Sequence, residues 1–111
     1  MSLELLKGTL DVLVLKTLEW GPRHGYAVSK VLREATADAF QVEEGALYPA
    51  LRRLERKGLV AAEWGTSDTG RQVKLYELTP EGEARLEREI RDWAAYVEAM
   101  SRVLYGEEPA R

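Results

Sequence analysis

Arginine is the residue type that most often pairs with guanine edges and phosphate oxygens, and this chain sets three of them close together in the run GALYPALRRLERKGL, residues 45–59. Leu47, Leu51 and Leu54 recur at positions i, i+4 and i+7, so on a helix they share one face. Pro49, Arg52 and Arg56 then fall opposite, with Tyr48 and Arg53 beside them. Gly58 is placed to end the helix in a left-handed conformation. Pro49 is expected in the first turn, where backbone N–H groups lack partners. A helix that buries leucines and turns arginines outward can enter a DNA groove. The same pattern also describes a merely solvated charged face, so the neighbouring elements must decide.

Other chemistries find little support. There is no cysteine, which removes disulfides, thiolate metal sites and cysteine catalysis. His24 is the one histidine, so no metal ligand set is expected. No nucleophile, base and orienting group converge in any motif, so neither catalytic residues nor a cofactor are expected. The net charge of −3 is unusual for a DNA-binding protein. However, residues 45–74 hold six basic and three acidic side chains, while residues 79–111 hold five basic and eight acidic. Phosphate meets the local charge. The pair Glu43–Glu44 favours a helix N-terminus but would repel nearby phosphates.

The elements that would position this helix can be read on either side of it. Residues 3–19 read as a helix that is apolar nearly all round, with Leu5, Leu6, Leu10, Val12, Leu13, Val14, Leu15 and Leu18. That is more apolar surface than one core needs, so a second partner is expected. Residues 24–37 read as a second helix with Tyr26, Val28, Val31, Leu32 and Ala35 buried. The arginine helix spans 44–57. Leu59–Trp64 and Arg71–Leu78 read as strands, joined by a polar loop bounded by Gly65 and Gly70. Thr79-Pro80 opens a last helix, with Thr as N-cap and Pro in the first turn. Along it Leu86, Ile90, Trp93, Val97, Met100 and Leu104 are spaced 4, 3, 4, 3, 4, an a/d seam suited to pairing with another helix.

Helix, helix, helix, hairpin, helix is the order of a winged helix-turn-helix domain with a C-terminal extension. The expected class is mainly α with a small β-hairpin. The domain would occupy 1–79, the dimerisation helix 80–105 and a frayed tail 106–111. No apolar run reaches the ~18 residues of a membrane span, and the first residues do not read as a signal peptide. A cytoplasmic location is therefore expected, without membrane contact.

Residue by residue, the chain resembles the PadR-type transcriptional regulators of the short subgroup. The resemblance lies in Gly25-Tyr26, in Gly45-Ala46-Leu47-Tyr48-Pro49-Ala50-Leu51 with Arg53-Leu54-Glu55, and in Gly58-Leu59, Arg71, Lys74, Tyr76, Leu78-Thr79 and Gly82. It spans about residues 5 to 104, with Ala46 where many members carry Ser or Thr. The resemblance implies a homodimer on double-stranded DNA with a palindromic operator, usually as a repressor. Tyr48, Pro49, Arg52, Arg53 and Arg56 would face DNA, and Thr66, Arg71 and Lys74 would reach it from the wing, with Ser67 and Thr69 as further hydroxyls. Tyr48 is equally readable as half-buried packing. In the family the last helix packs on the partner's first helix, so Leu6, Leu10, Leu13, Leu86, Ile90, Trp93, Val97, Met100 and Leu104 would form the dimer seam. Trp93 is either a seam residue or, with Val97 and Leu10, the wall of a pocket between protomers for a small aromatic effector. A winged-helix protein–protein module without DNA binding is the alternative reading.

Overall fold

The computed structural model describes residues 3–6 and 8–110. Met1, Ser2, Lys7 and Arg111 lie outside the described residues. With them lie the outer ends of the expected ranges 1–79 and 106–111 and one position of the expected first helix. The elements run α1 (Leu10–Glu19), β1 (Arg23–His24), α2 (Gly25–Ala35), α3 (Glu44–Arg56), β2 (Val60–Thr66), β3 (Gln72–Leu78) and α4 (Pro80–Leu104). The three strands form one antiparallel sheet in the order β1-β3-β2. Arg23 faces Tyr76, and Val60 to Thr66 pair with Leu78 to Gln72. The mainly helical class with a small winged sheet is as expected.

Three helices and the base of the sheet close one core. Val14, Leu15 and Leu18 from α1, Val28 and Leu32 from α2, and Leu47, Leu51 and Leu54 from α3 pack with Leu59, Val60, Tyr76 and Leu86. Thr17 is buried among them with its hydroxyl donating to the Val14 carbonyl at 2.8 Å, so the polar group is satisfied. A helix-terminating turn carries α3 into the wing. Gly58, at φ +74°, donates to Glu55 O, and Leu59 N–H reaches Leu54 O at 2.9 Å. Leu59 thereby lands on Leu54 inside the core, which sets where β2 begins.

The junction to α4 is equally tight. Thr79 Oγ1 accepts from Gly82 N–H at 3.0 Å and donates to Gly58 O at 2.7 Å. A Cβ on Gly82 would sit 2.0 Å from Leu59 O, so only glycine lets the first turn of α4 lie against that carbonyl. This is why Gly82 stands where a capping-box glutamate could have been.

Several expectations need correction. The first helix begins at Leu10, and Leu3, Glu4, Leu5 and Leu6 are non-helical, with Leu3 N–H bonded to Ala39 O. Gly8, at φ +84°, and the Thr9 N-cap interrupt the apolar run, which carries no periodicity to mark the break. Pro49 lies six residues into α3 and not in its first turn. It removes the N–H that would have bonded to the carbonyl of Gly45, an exposed residue with nothing within 4 Å of its Cβ position. Tyr26 and Ala35 are exposed, leaving Gly25, Val28 and Leu32 as the buried face of α2. The two-residue strand β1 was too short to leave a pattern.

Two substitutions test these junctions in opposite directions. Ala37 follows α2 at φ +49°, where a Cβ is strained, and its N–H donates to Glu34 O. Ala37→Gly is expected to stabilise the fold by about 0.5–1 kcal/mol in denaturant unfolding. Gly82→Ala is expected to destabilise it by about 1–3 kcal/mol, since backbone must shift to admit the methyl. Equal effects of the same sign would contradict the geometry.

Candidate nucleic-acid interface

A cleft of about 790 Å³ opens between the start of α2, the outer face of α3 and the wing. Its walls include Tyr26, Tyr48, Arg52, Trp64, Arg71 and Lys74, with Glu44 and Asp68 as the acidic members. The leucine ridge of α3 is fully buried, so its opposite face has no choice but to look outward. Arg52 and Arg56 are exposed there, and among the described residues neither they nor Arg71 forms an ion pair.

Tyr48 is half-buried, and the reason lies across the cleft. A Cβ on Gly25 would meet its ring at 2.8 Å, so the bare backbone of Gly25 is the floor on which Tyr48 rests. The Gly-Tyr pair at the start of α2 and the tyrosine of α3 are thus two halves of one contact. Burial raises the Tyr48 phenol pKa above its ordinary value of 10, and the Glu44 carboxylate adds to this. Burial likewise raises Tyr76, followed by the charge of Glu55, while Arg52 pulls the other way.

The remaining expected residues divide. Pro49 is partly buried beside Tyr48 on α3, and Thr66 is exposed at the last position of β2. Lys74 stands 5.4 Å over the Trp64 ring and 3.5 Å from Glu55, its ammonium shared between wing and α3. Arg53 turns away from the cleft. Its guanidinium holds Asp11 of α1 at 2.8 Å, so it ties α3 to α1 and is not a free outward arginine as Arg52 is. Ser67 and Thr69 shape the wing turn: Ser67 Oγ accepts from Arg71 N–H at 3.2 Å and lies 3.0 Å from Thr69 Oγ1. His24 Nδ1 lies 3.0 Å from Lys74 O, and its ring stacks on Tyr26 at 5.7 Å. Trp64, Tyr26 and His24 are cleft residues that the sequence reading placed elsewhere or left out. A long exposed aromatic on a wing strand was the available signal.

The other expected surface lies on α4. Leu86 is a correction: it is 0% exposed and belongs to the chain's own core, because α4 is still pressed on Leu59 at that turn. Beyond it the helix leaves the core, and Ile90, Trp93, Val97, Met100 and Leu104 are all exposed. Trp93 stacks on Tyr96 at 6.0 Å, and Tyr96, Val103 and Tyr105 extend the apolar area. Leu10 and Leu13 are half-buried against the core, and Leu6 is exposed. Within one chain Trp93, Val97 and Leu10 line no part of the cleft.

The raised phenols carry a pH prediction. Tyr48 and Tyr76 have higher pKa values folded than the ordinary 10, so the stability they contribute is complete below pH 10 and lost as pH rises through the folded values. Thermal melts from pH 9 to 11.5 should show this decline, and Tyr48→Phe should make it shallower. An identical decline in the variant would remove Tyr48 from the account.

Residues 14–88 match the model of the Transcriptional regulator PadR-like family. An uncharacterised protein X of Lysinibacillus sphaericus is 30% identical over 105 residues, covering 95% of this chain and 96% of that one. A solved transcriptional regulator from Clostridium thermocellum superposes with a TM-score of 0.80 at 28% identity, covering 86% of this chain and 90% of the other. A solved PadR family transcriptional regulator from Eggerthella lenta gives 0.78 at 35% identity, covering 88% and 83%. The α3 run, the wing that follows it and these likenesses agree: the chain belongs to the PadR-like family of transcriptional regulators.

Proposed function

We propose that this regulator is a homodimer that binds a palindromic operator as a repressor and is released by a small, flat effector. The observation that carries the DNA half is the cleft, where Arg52, Arg71 and Lys74 converge with α3 at its back. Tyr48, Pro49 and Arg52 face the major groove, and Arg56, Thr66, Arg71 and Lys74 meet the flanking backbone. Arg53 contributes through its hold on Asp11, keeping α3 at a set angle on α1. The overall charge of −3 does not prevent this, because the acidic excess lies on α4 and the tail, away from the cleft.

The dimer half is supported by the bare ridge of α4. Five consecutive seam positions from Ile90 to Leu104 are exposed on a helix that has already left its own core. A contiguous apolar ridge of that kind marks an interaction surface. A second copy supplies the matching ridge, together with Leu6 and the accessible parts of Leu10 and Leu13. Trp93 is then a wide ring among narrower side chains near the two-fold axis, which leaves a gap between protomers that Val97 and Leu10 help to wall. An aromatic compound filling it would change the spacing of the two α3 helices, provided it binds one spacing better than the other. The acidic pair Glu43–Glu44 favours the second reading, a protein–protein module of the same fold.

Binding assays separate the two. Affinity for the chain's own upstream DNA should exceed that for random DNA and fall steeply with salt, and Arg71→Ala should reduce the salt slope by about one per protomer. Equal affinity for both DNAs at moderate salt would defeat the repressor reading. In sedimentation, Trp93→Ala with Val97→Ala should shift dimer toward monomer at micromolar concentration. A wild-type chain that sediments as a monomer there would defeat the dimer.

A further inference from the structure

Glu44, the first residue of α3, conflicts with a phosphate-facing surface, yet it lines the cleft beside Tyr48 and Arg52. These three occupy successive i+4 positions, so they form one row along the helix. Arg56 continues the row but does not line the cleft. Among the described residues neither Glu44 nor Arg52 has an ion-pair partner, and both are exposed. Between them Tyr48 is fixed by its seat on Gly25, which holds the row to one spacing. The row therefore presents an acceptor at one end and a fork of donors at the other.

We propose that Glu44 and Arg52 are the two specificity-determining residues of the operator half-site, Glu44 reading a cytosine and Arg52 a guanine. This rests on the DNA-binding reading above and deepens it. In the major groove cytosine presents an N4 amino donor, which a carboxylate accepts, whereas adenine sets its N7 acceptor beside its amino group and repels one. Guanine presents O6 and N7, which a guanidinium fork meets with two hydrogen bonds. Eight residues of helix rise by about 12 Å, and along the inclined groove, where the path per base pair exceeds the ~3.4 Å axial rise, this separates the two contacts by about two to three base pairs. A carboxylate near phosphates lowers affinity for every sequence, and hydrogen bonds to a correct base offset that cost at one position only. Arg56, one turn further along, lies beyond the reach of a helix tangent to the groove and meets backbone.

Selection of bound sequences from a randomised duplex library tests this directly. The wild-type motif should contain a cytosine and a guanine about two to three base pairs apart in each half-site. Glu44→Ala should erase the cytosine preference, a loss of about tenfold in discrimination, keep the guanine, and bind random DNA more tightly. Arg52→Ala should do the converse, and Glu44→Gln should move the first preference toward adenine, which an amide pairs with. An unchanged cytosine in Glu44→Ala, with only a uniform rise in affinity, would overturn the inference while leaving DNA binding intact. A wild-type chain that enriches no motif would overturn both.

Discussion

Burial of Leu47, Leu51 and Leu54 is the constraint from which the rest follows. Once these three are fully enclosed, the rotation of α3 about its own axis is set, and with it which side chains face water. Loss of any one methyl-rich side chain from such a site costs about 2–5 kcal/mol, a large share of the stability of a domain this size. The helix therefore cannot roll to suit a partner. Arg52 and Arg56 are held outward by leucines they never touch. The Arg53–Asp11 pair and the Tyr48–Gly25 contact add directional restraint on two further sides.

The same core fixes the second surface. Leu59 follows Leu54 into the interior, its carbonyl receives the bare backbone of Gly82, and Leu86 closes the packing one turn later. From there α4 projects outward, and the molecule reaches 67 Å in its longest dimension. The outward face of α3 and the bare ridge of α4 are thus both rooted in one cluster, in which Leu54, Leu59 and Leu86 pack together. In the dimer proposed above, a change in how the two ridges pack would be passed to α3 through this shared core, and that is how an effector between protomers would act on the DNA face.

What was legible beforehand follows from which features have a period. The leucine spacing of α3, the capped start of α4 and its 4-3 seam, and the polar loop between two β-rich runs all translate directly into elements. The start of α1 was not legible, because a run apolar on every side gives no phase from which to see that Gly8 and Thr9 break it. Strand β1 has only two residues and exists because β3 offers an open edge. At the cleft, the outward arginines could be read from helix geometry alone. The partner of Arg53 could not, since Asp11 lies 42 residues away, and the exposure of Trp64 depended on which face of β2 the turn at Gly58 directs inward. Leu86 carried the right spacing for the seam, but spacing does not tell where a helix leaves its own core.

In the proposed dimer a rigid α3 is presented twice, by two chains joined along α4, at the spacing of a DNA helical turn. Hydroxyl-radical footprinting on the best sequence recovered by selection tests that arrangement most directly. The arrangement predicts two protected windows on one face of the duplex, centred about one helical turn, ~10 base pairs, apart. A single protected window, or two on opposite faces, would contradict it.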